Sequence, residues 1–178
     1  MADEYLDIVD EQNKLTGDKQ LRSVAHSTGL WHRVVHIYFF RKANNTIEFL
    51  VHLRSKDKDL APNCWDTRFG GHVKAGESVE TGVMNEMKEE VGFQADPSKL
   101  IEGEWHTGGR YPNQEFQKPY YFEYNEPLEN LSFNDGEVQE VKWMPYEDIL
   151  NGITEDPKKW ATKKEVFESI SKYLKAGV

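Results

Sequence analysis

The chain has 178 residues, 38% hydrophobic and 30% charged, the balance of a folded domain with its own core rather than a disordered or fibrous chain. Its formal net charge of -9 argues against general binding to nucleic acid or anionic membranes, and its longest apolar run, VVHIYFF, is too short to span a bilayer. The single cysteine, Cys64, excludes a disulfide within the chain and suits the cytoplasm, and the acidic, polar start MADEYLDIVDEQNK does not read as a secretory leader.

No repeat, low-complexity block or Pro/Gly/Ser linker divides the sequence, so one domain over residues 1–178 is expected. Residues 34–40 and 46–54 are rich in β-branched and aromatic side chains and flank the turn-like KANN, which predicts a β-hairpin. A charged loop with Pro62 leads to Gly70. A helix is expected over residues 78–91, with Ser78 as N-cap, Gly92 as terminator and Val79, Val83, Met87 and Val91 as a buried stripe. Strands are expected near 100–107, 118–125 and 137–144. Pro145 then opens a short helix, and TKKE at 162–165 is a capping box for the last one. This order predicts an α/β or α+β domain, a mixed sheet covered by helices.

Glu86, Glu89 and Glu90 crowd one turn of the predicted helix, where like charges four apart cost roughly 0.2–0.5 kcal/mol per pair. They adjoin the buried stripe, and the glycine-containing loop GGHVKAG precedes them. Clustered carboxylates beside a loop carbonyl suit a hard divalent cation. Magnesium fits, since it keeps waters and binds substrate phosphates.

The spacing Gly71, five residues, Glu77, seven residues, then NEMKEEVGF resembles the Nudix box, G-x5-E-x7-R-E-U-x-E-E-x-G-U with U aliphatic. The segments DIVDEQNKLTG, GLWHRVVHIYFF, LRSKDKDLAPNCWD and GGHVKAGES extend the likeness to the Nudix subgroup nearest isopentenyl-diphosphate isomerases. The resemblance implies a Nudix α/β/α sandwich. It also implies a hydrolase of a diphosphate linkage, in a nucleoside diphosphate joined to another group or a related compound. Magnesium, or manganese in its place, would be the cofactor, a small-molecule diphosphate the partner, and a homodimer the assembly.

By the same resemblance Glu86 is a metal ligand and the catalytic base. Glu89, Glu90 and the Gly70 carbonyl are further ligands, with Glu137 as a later-loop acid and Asp135 as the second choice. Gly71 and Glu77 are structural. Asn85 stands where the box has an orienting arginine and supplies no charge, a role that Arg68 could fill from the adjacent loop. From the isomerase relatives come a second metal set, His26, His32, His72 and Glu115, with Asn113 replacing a glutamate. Arg54 and Lys58 come from them as the diphosphate grip. The isomerase's catalytic cysteine corresponds to Gly70, and Cys64 lies six residues too early to replace it. An isoprenoid-diphosphate isomerase-like enzyme and a lapsed binding module are the alternatives.

Overall fold

The computed structural model describes residues 4–43, 45–58, 60–133 and 136–175. The chain opens with β1 (Tyr5–Val9) and β2 (Leu15–Leu21), an antiparallel hairpin, followed by the short helix α1 (Arg22–Thr28). These three elements carry no apolar alternation long enough to mark them in the sequence. β2, LTGDKQL, is held by its pairing with β1 rather than by a buried face.

β3 (Trp31–Ala43) and β4 (Thr46–Arg54) form the expected hairpin, longer than its apolar centre suggested; Asn44, in its expected turn, lies outside the described residues. After β5 (Trp65–Asp66) comes α2 (Val79–Val91), the predicted helix. The Ser78 side chain accepts from the Thr81 amide at 3.1 Å. Gly92, left-handed at φ 63°, donates its amide to the Met87 carbonyl.

The strand expected at 100–107 is two short ones, β6 (Ile101–Glu102) and β7 (His106–Gly108). The chain breaks at Gly103, whose amide donates to the Pro119 carbonyl at 2.9 Å. β8 (Gln114–Glu123) starts four residues before the expected strand. β9 (Val138–Pro145), α3 (Tyr146–Glu155) and α4 (Lys164–Lys175) complete the chain. The expected capping box is not used. The Thr162 hydroxyl instead donates to the buried Asp66 carboxylate at 3.1 Å, and the helix begins two residues later.

The main sheet runs β5-β4-β3-β8-β6, with β7 beside β8 and β9 beside β4. β3 and β8 are parallel and the other pairs antiparallel, so the sheet is mixed. Val35, Ile37 and Phe39 pack on one face with Val83, Met87 and Val91 of α2. Tyr38, Phe40 and Val51 pack on the other with α3 and α4. The molecule is thus an α/β/α sandwich, and no helix among the described residues is long and apolar enough to cross a membrane.

Asp66 is the polar anchor of the second face, 2% exposed. Burial alone would raise its pKa. Arg68, bonded to both carboxylate oxygens at 3.0 Å, outweighs that and holds it well below the usual carboxylate range. Arg68 is therefore committed to Asp66, and the expectation that it could replace the missing box arginine is corrected. Asp66→Asn should cost about 3–5 kcal/mol in urea unfolding, because it strands a buried guanidinium. A loss below 1 kcal/mol would mean that Arg68 finds another partner.

Candidate active site

The glycine loop sits on the edge of β3 left free where β4 diverges. Phe69 and Ile37 exchange backbone hydrogen bonds at 2.7 and 3.0 Å, and the Val35 amide donates to the Gly71 carbonyl at 2.9 Å. The ladder uses the carbonyls of Phe69 and Gly71 and passes over that of Gly70. Gly70 itself is at φ 123°, and a Cβ there would lie 2.3 Å from the Val35 oxygen. Only glycine fits without moving backbone. At Gly71 a Cβ would stand 2.9 Å from a Glu86 oxygen, so this second glycine makes room for the carboxylate.

Glu86 and Glu90 project from α2 beneath this loop. Glu86 is 8% exposed, and burial, reinforced by Glu89, raises its pKa from the usual 4.5 to about 7. Burial raises Glu90 further, to about 8, against the opposing hydrogen bond that it accepts from the Gly70 amide at 2.5 Å. Glu89 is outermost and accepts two bonds from Lys74 Nζ, at 2.9 and 3.0 Å. Glu137 arrives from the loop before β9 and pairs with Lys58 Nζ. Asp135, the second choice, lies outside the described residues.

These residues line one cleft of about 330 Å³, with Gly70, Gly71, His72, Glu4, Arg22 and Lys74. Glu4, Arg22 and Lys74 are absent from the sequence-derived set. Lys74 lies within the quoted loop but matches no box position. Glu4 and Arg22 come from the polar N-terminal segment, which carries no pattern to mark them.

Asn85 Nδ2 donates to Glu77 Oε1 at 2.9 Å, so the orienting contact survives without charge. The other Glu77 oxygen is buried with no partner among the described residues, as expected where a two-pronged donor is replaced by a single one. Arg54, expected to grip a diphosphate, is not among the lining residues. Its guanidinium donates to the carbonyls of Leu60 and Ala61 at 2.9 and 3.2 Å and lies 3.7 Å from Asp66, holding the loop that carries Lys58.

The second donor set also converges. His26, His32, His72 and Glu115 offer ligand atoms all within 4.8 Å of one another, and the Nε2 atoms of His26 and His72 are 3.0 Å apart. His32 Nδ1 is 2.9 Å from the Leu30 carbonyl, while its buried Nε2 has no hydrogen-bond partner among the described residues. Burial, then neighbouring cationic groups, pushes His26 and His72 below the ordinary histidine value and keeps them in the neutral form that ligates metal. Asn113 and Gln117 amides hold the two Glu115 oxygens at 2.6 and 2.7 Å, a supporting contact common behind metal ligands. His52 is buried and His36 half-buried in the packing; burial lowers His36 to about 3 and His52 to about 4.

This fold, with a glycine loop closing over helix-borne carboxylates, defines a class of hydrolases acting on diphosphate-containing substrates. The chain belongs to the Nudix family: the NUDIX domain profile matches residues 30–169. A Nudix hydrolase of Clostridium acetobutylicum is 35% identical over 143 residues, 78% of this chain and 68% of that protein. Nudix hydrolase 3 of Arabidopsis thaliana is 32% identical over 167 residues, 88% of this chain but 21% of that longer protein. The isopentenyl-diphosphate Delta-isomerase of Salmonella arizonae is 26% identical over 175 residues, 90% of this chain and 86% of that one. A crystal structure from Deinococcus radiodurans shares the fold with a TM-score of 0.70, covering 95% of this chain and 98% of that one at 23% identity.

With Glu86 and Glu90 raised, the folded protein without metal keeps protons that the unfolded chain releases above pH 4.5. That contribution to stability is complete below pH 4.5 and is lost as pH rises through about 7 and about 8. In EDTA, Glu90→Gln should match wild type near pH 4 and exceed it at pH 8.5 by on the order of 1–3 kcal/mol in urea unfolding. A difference independent of pH would show that Glu90 is not buried as an acid.

Proposed function

We propose that this chain is a magnesium-dependent hydrolase that cleaves a diphosphate linkage, in a nucleoside diphosphate joined to another group or a related organic diphosphate. The observation that carries this reading is the pair of buried Glu86 and half-buried Glu90 beside the Gly70 carbonyl that the strand ladder passes over, flanked by Glu89 and Glu137. These are hard oxygen donors in excess of the neighbouring positive charge, and they fit magnesium, with manganese as its substitute. A bound magnesium ion would supply charge neutralisation on the diphosphate oxygens and acidify an attacking water.

The chain's own residues account for the rest. Glu86, poised at about 7, can take the proton of the attacking water at neutral pH. Gly70 fixes Glu90 through its amide, and Asn85 fixes Glu77 at the loop's entry into α2. Lys58 brings positive charge to the substrate side of the cleft. The histidine set fits a second divalent ion of transition type, manganese included.

An isomerase-like activity is the second reading, favoured by that histidine set. Two features weigh against it. Residue 70 has no room for a thiol, and the Cys64 thiol is engaged with the Lys158 carbonyl at 3.2 Å. A lapsed binding module is disfavoured because Asn85 retains the contact to Glu77.

Purified protein should release phosphate or a monophosphate from at least one member of a panel of nucleoside diphosphates, dinucleoside polyphosphates, nucleotide sugars and isoprenoid diphosphates. EDTA should abolish turnover, and Glu86→Gln should lower kcat by about 10²–10⁴-fold while leaving the fold intact by circular dichroism. Interconversion of isopentenyl and dimethylallyl diphosphates, without hydrolysis, would instead establish the isomerase reading.

A further inference from the structure

Among the described residues, each lysine and arginine lining the cleft is tied to an outlying carboxylate. Arg22 faces Glu4 at 3.5 Å, Lys58 pairs with Glu137, and Lys74 Nζ holds both oxygens of Glu89. The two deepest carboxylates, Glu86 and Glu90, have no ion pair among those residues. The cations therefore sit on the outer carboxylates, among them Glu89 and Glu137 that flank the metal-binding pair, rather than on that pair itself.

Lys74 is the clearest case. Its backbone is fixed: Leu6 of β1 bridges Lys74, and the next amide, Ala75, donates to the Tyr5 carbonyl at 2.8 Å. Its ion pair is loose, with the lysine side chain 38% exposed and the glutamate 57% exposed. A pair so open to water is held weakly, and a four-carbon stem on a fixed backbone can turn without disturbing the fold. A divalent ion on Glu89 would compete for the same two oxygens and, with twice the charge, would repel the ammonium from them. When that carboxylate is claimed, the ammonium remains in the cleft with no counter-ion, at the place where diphosphate oxygens would lie.

We propose that Lys74 is a substrate-binding residue, held in reserve on Glu89 and released to the diphosphate when a divalent ion takes that carboxylate. This rests on the diphosphate-hydrolase reading of the same cleft. No covalent step is involved, only an exchange of counter-ions. Its consequence is that metal and diphosphate bind synergistically, by more than the ion's direct contact with the phosphates supplies.

The test uses calorimetric titration with methylenebisphosphonate, a diphosphate that resists hydrolysis, with and without magnesium. The factor by which magnesium tightens binding should fall about tenfold in Lys74→Gln and be largely retained in Lys74→Arg. Without metal, Glu89→Gln should tighten bisphosphonate binding by freeing the ammonium, and this gain should shrink to little in the Lys74→Gln background. Circular dichroism of each variant checks the fold. Equal magnesium factors in wild type and Lys74→Gln, or a Glu89→Gln gain indifferent to Lys74, would overturn the proposal. If wild type with magnesium binds no bisphosphonate, this proposal fails; the hydrolase reading fails only if the substrate panel also shows no metal-dependent hydrolysis, which separates the two failures.

Discussion

The approach of the Gly70 backbone to β3 is the constraint from which the cleft is built. Any side chain there would meet the Val35 carbonyl, and the loop would have to lift off the sheet edge. Seated, the loop takes part in the sheet through Phe69 and Gly71 and turns the Gly70 amide toward Glu90. Gly71 then leaves the space that the Glu86 carboxylate fills. The conformational freedom that two glycines lose on folding costs up to about 1 kcal/mol each relative to alanine, and is offset by the packing of α2 against the same sheet face.

Crowding five glutamates into one cleft is tolerated because they do not all meet the same surroundings. Burial holds the deep pair toward the protonated form, while Glu89 and Glu137 are paired with Lys74 and Lys58 and Glu4 with Arg22. This division explains how the family's arginine can be absent at residue 85. Its hydrogen bond to Glu77 is kept by an amide, and the positive charge near the cluster comes from Lys58 and Lys74. Arg68, nearer in sequence to the glycine loop than Lys58 is, is spent on Asp66.

The parts of this architecture with a repeating apolar signal were legible in the sequence. The stripe Val79, Val83, Met87 and Val91 located α2, and the hairpin of β3 and β4 followed from β-branched and aromatic runs. The box spacing located the carboxylates and, through its relatives, the converging histidines. What escaped were elements stabilised by partners rather than by their own pattern. β2 has no buried face of its own, and β6 and β7 are too short to show a period. Thr162 looked like a cap because local sequence cannot reveal a buried acceptor contributed by residue 66. Arg54 matched a substrate-binding position by type, yet its fork is occupied by loop carbonyls that only the fold brings near.

The hairpin of β1 and β2 with α1 precedes the segment matched by the family profile, yet Glu4, Arg22 and His26 reach the two donor clusters from it. It is fastened to the glycine loop through the Tyr5 carbonyl and through Asp7, which accepts from the Gly76 amide at 2.7 Å. The cleft therefore has two walls of separate origin in the chain. One carries Glu86 and Glu90 on helix α2, whose neighbouring stripe is part of the core. The other is a hairpin and short helix packed on a small buried cluster of its own, Leu6, Ile8 and Ala25, apart from the core beneath that helix. Divergence among proteins of this kind has a route here: the reacting wall stays fixed while the opposite one is rewritten.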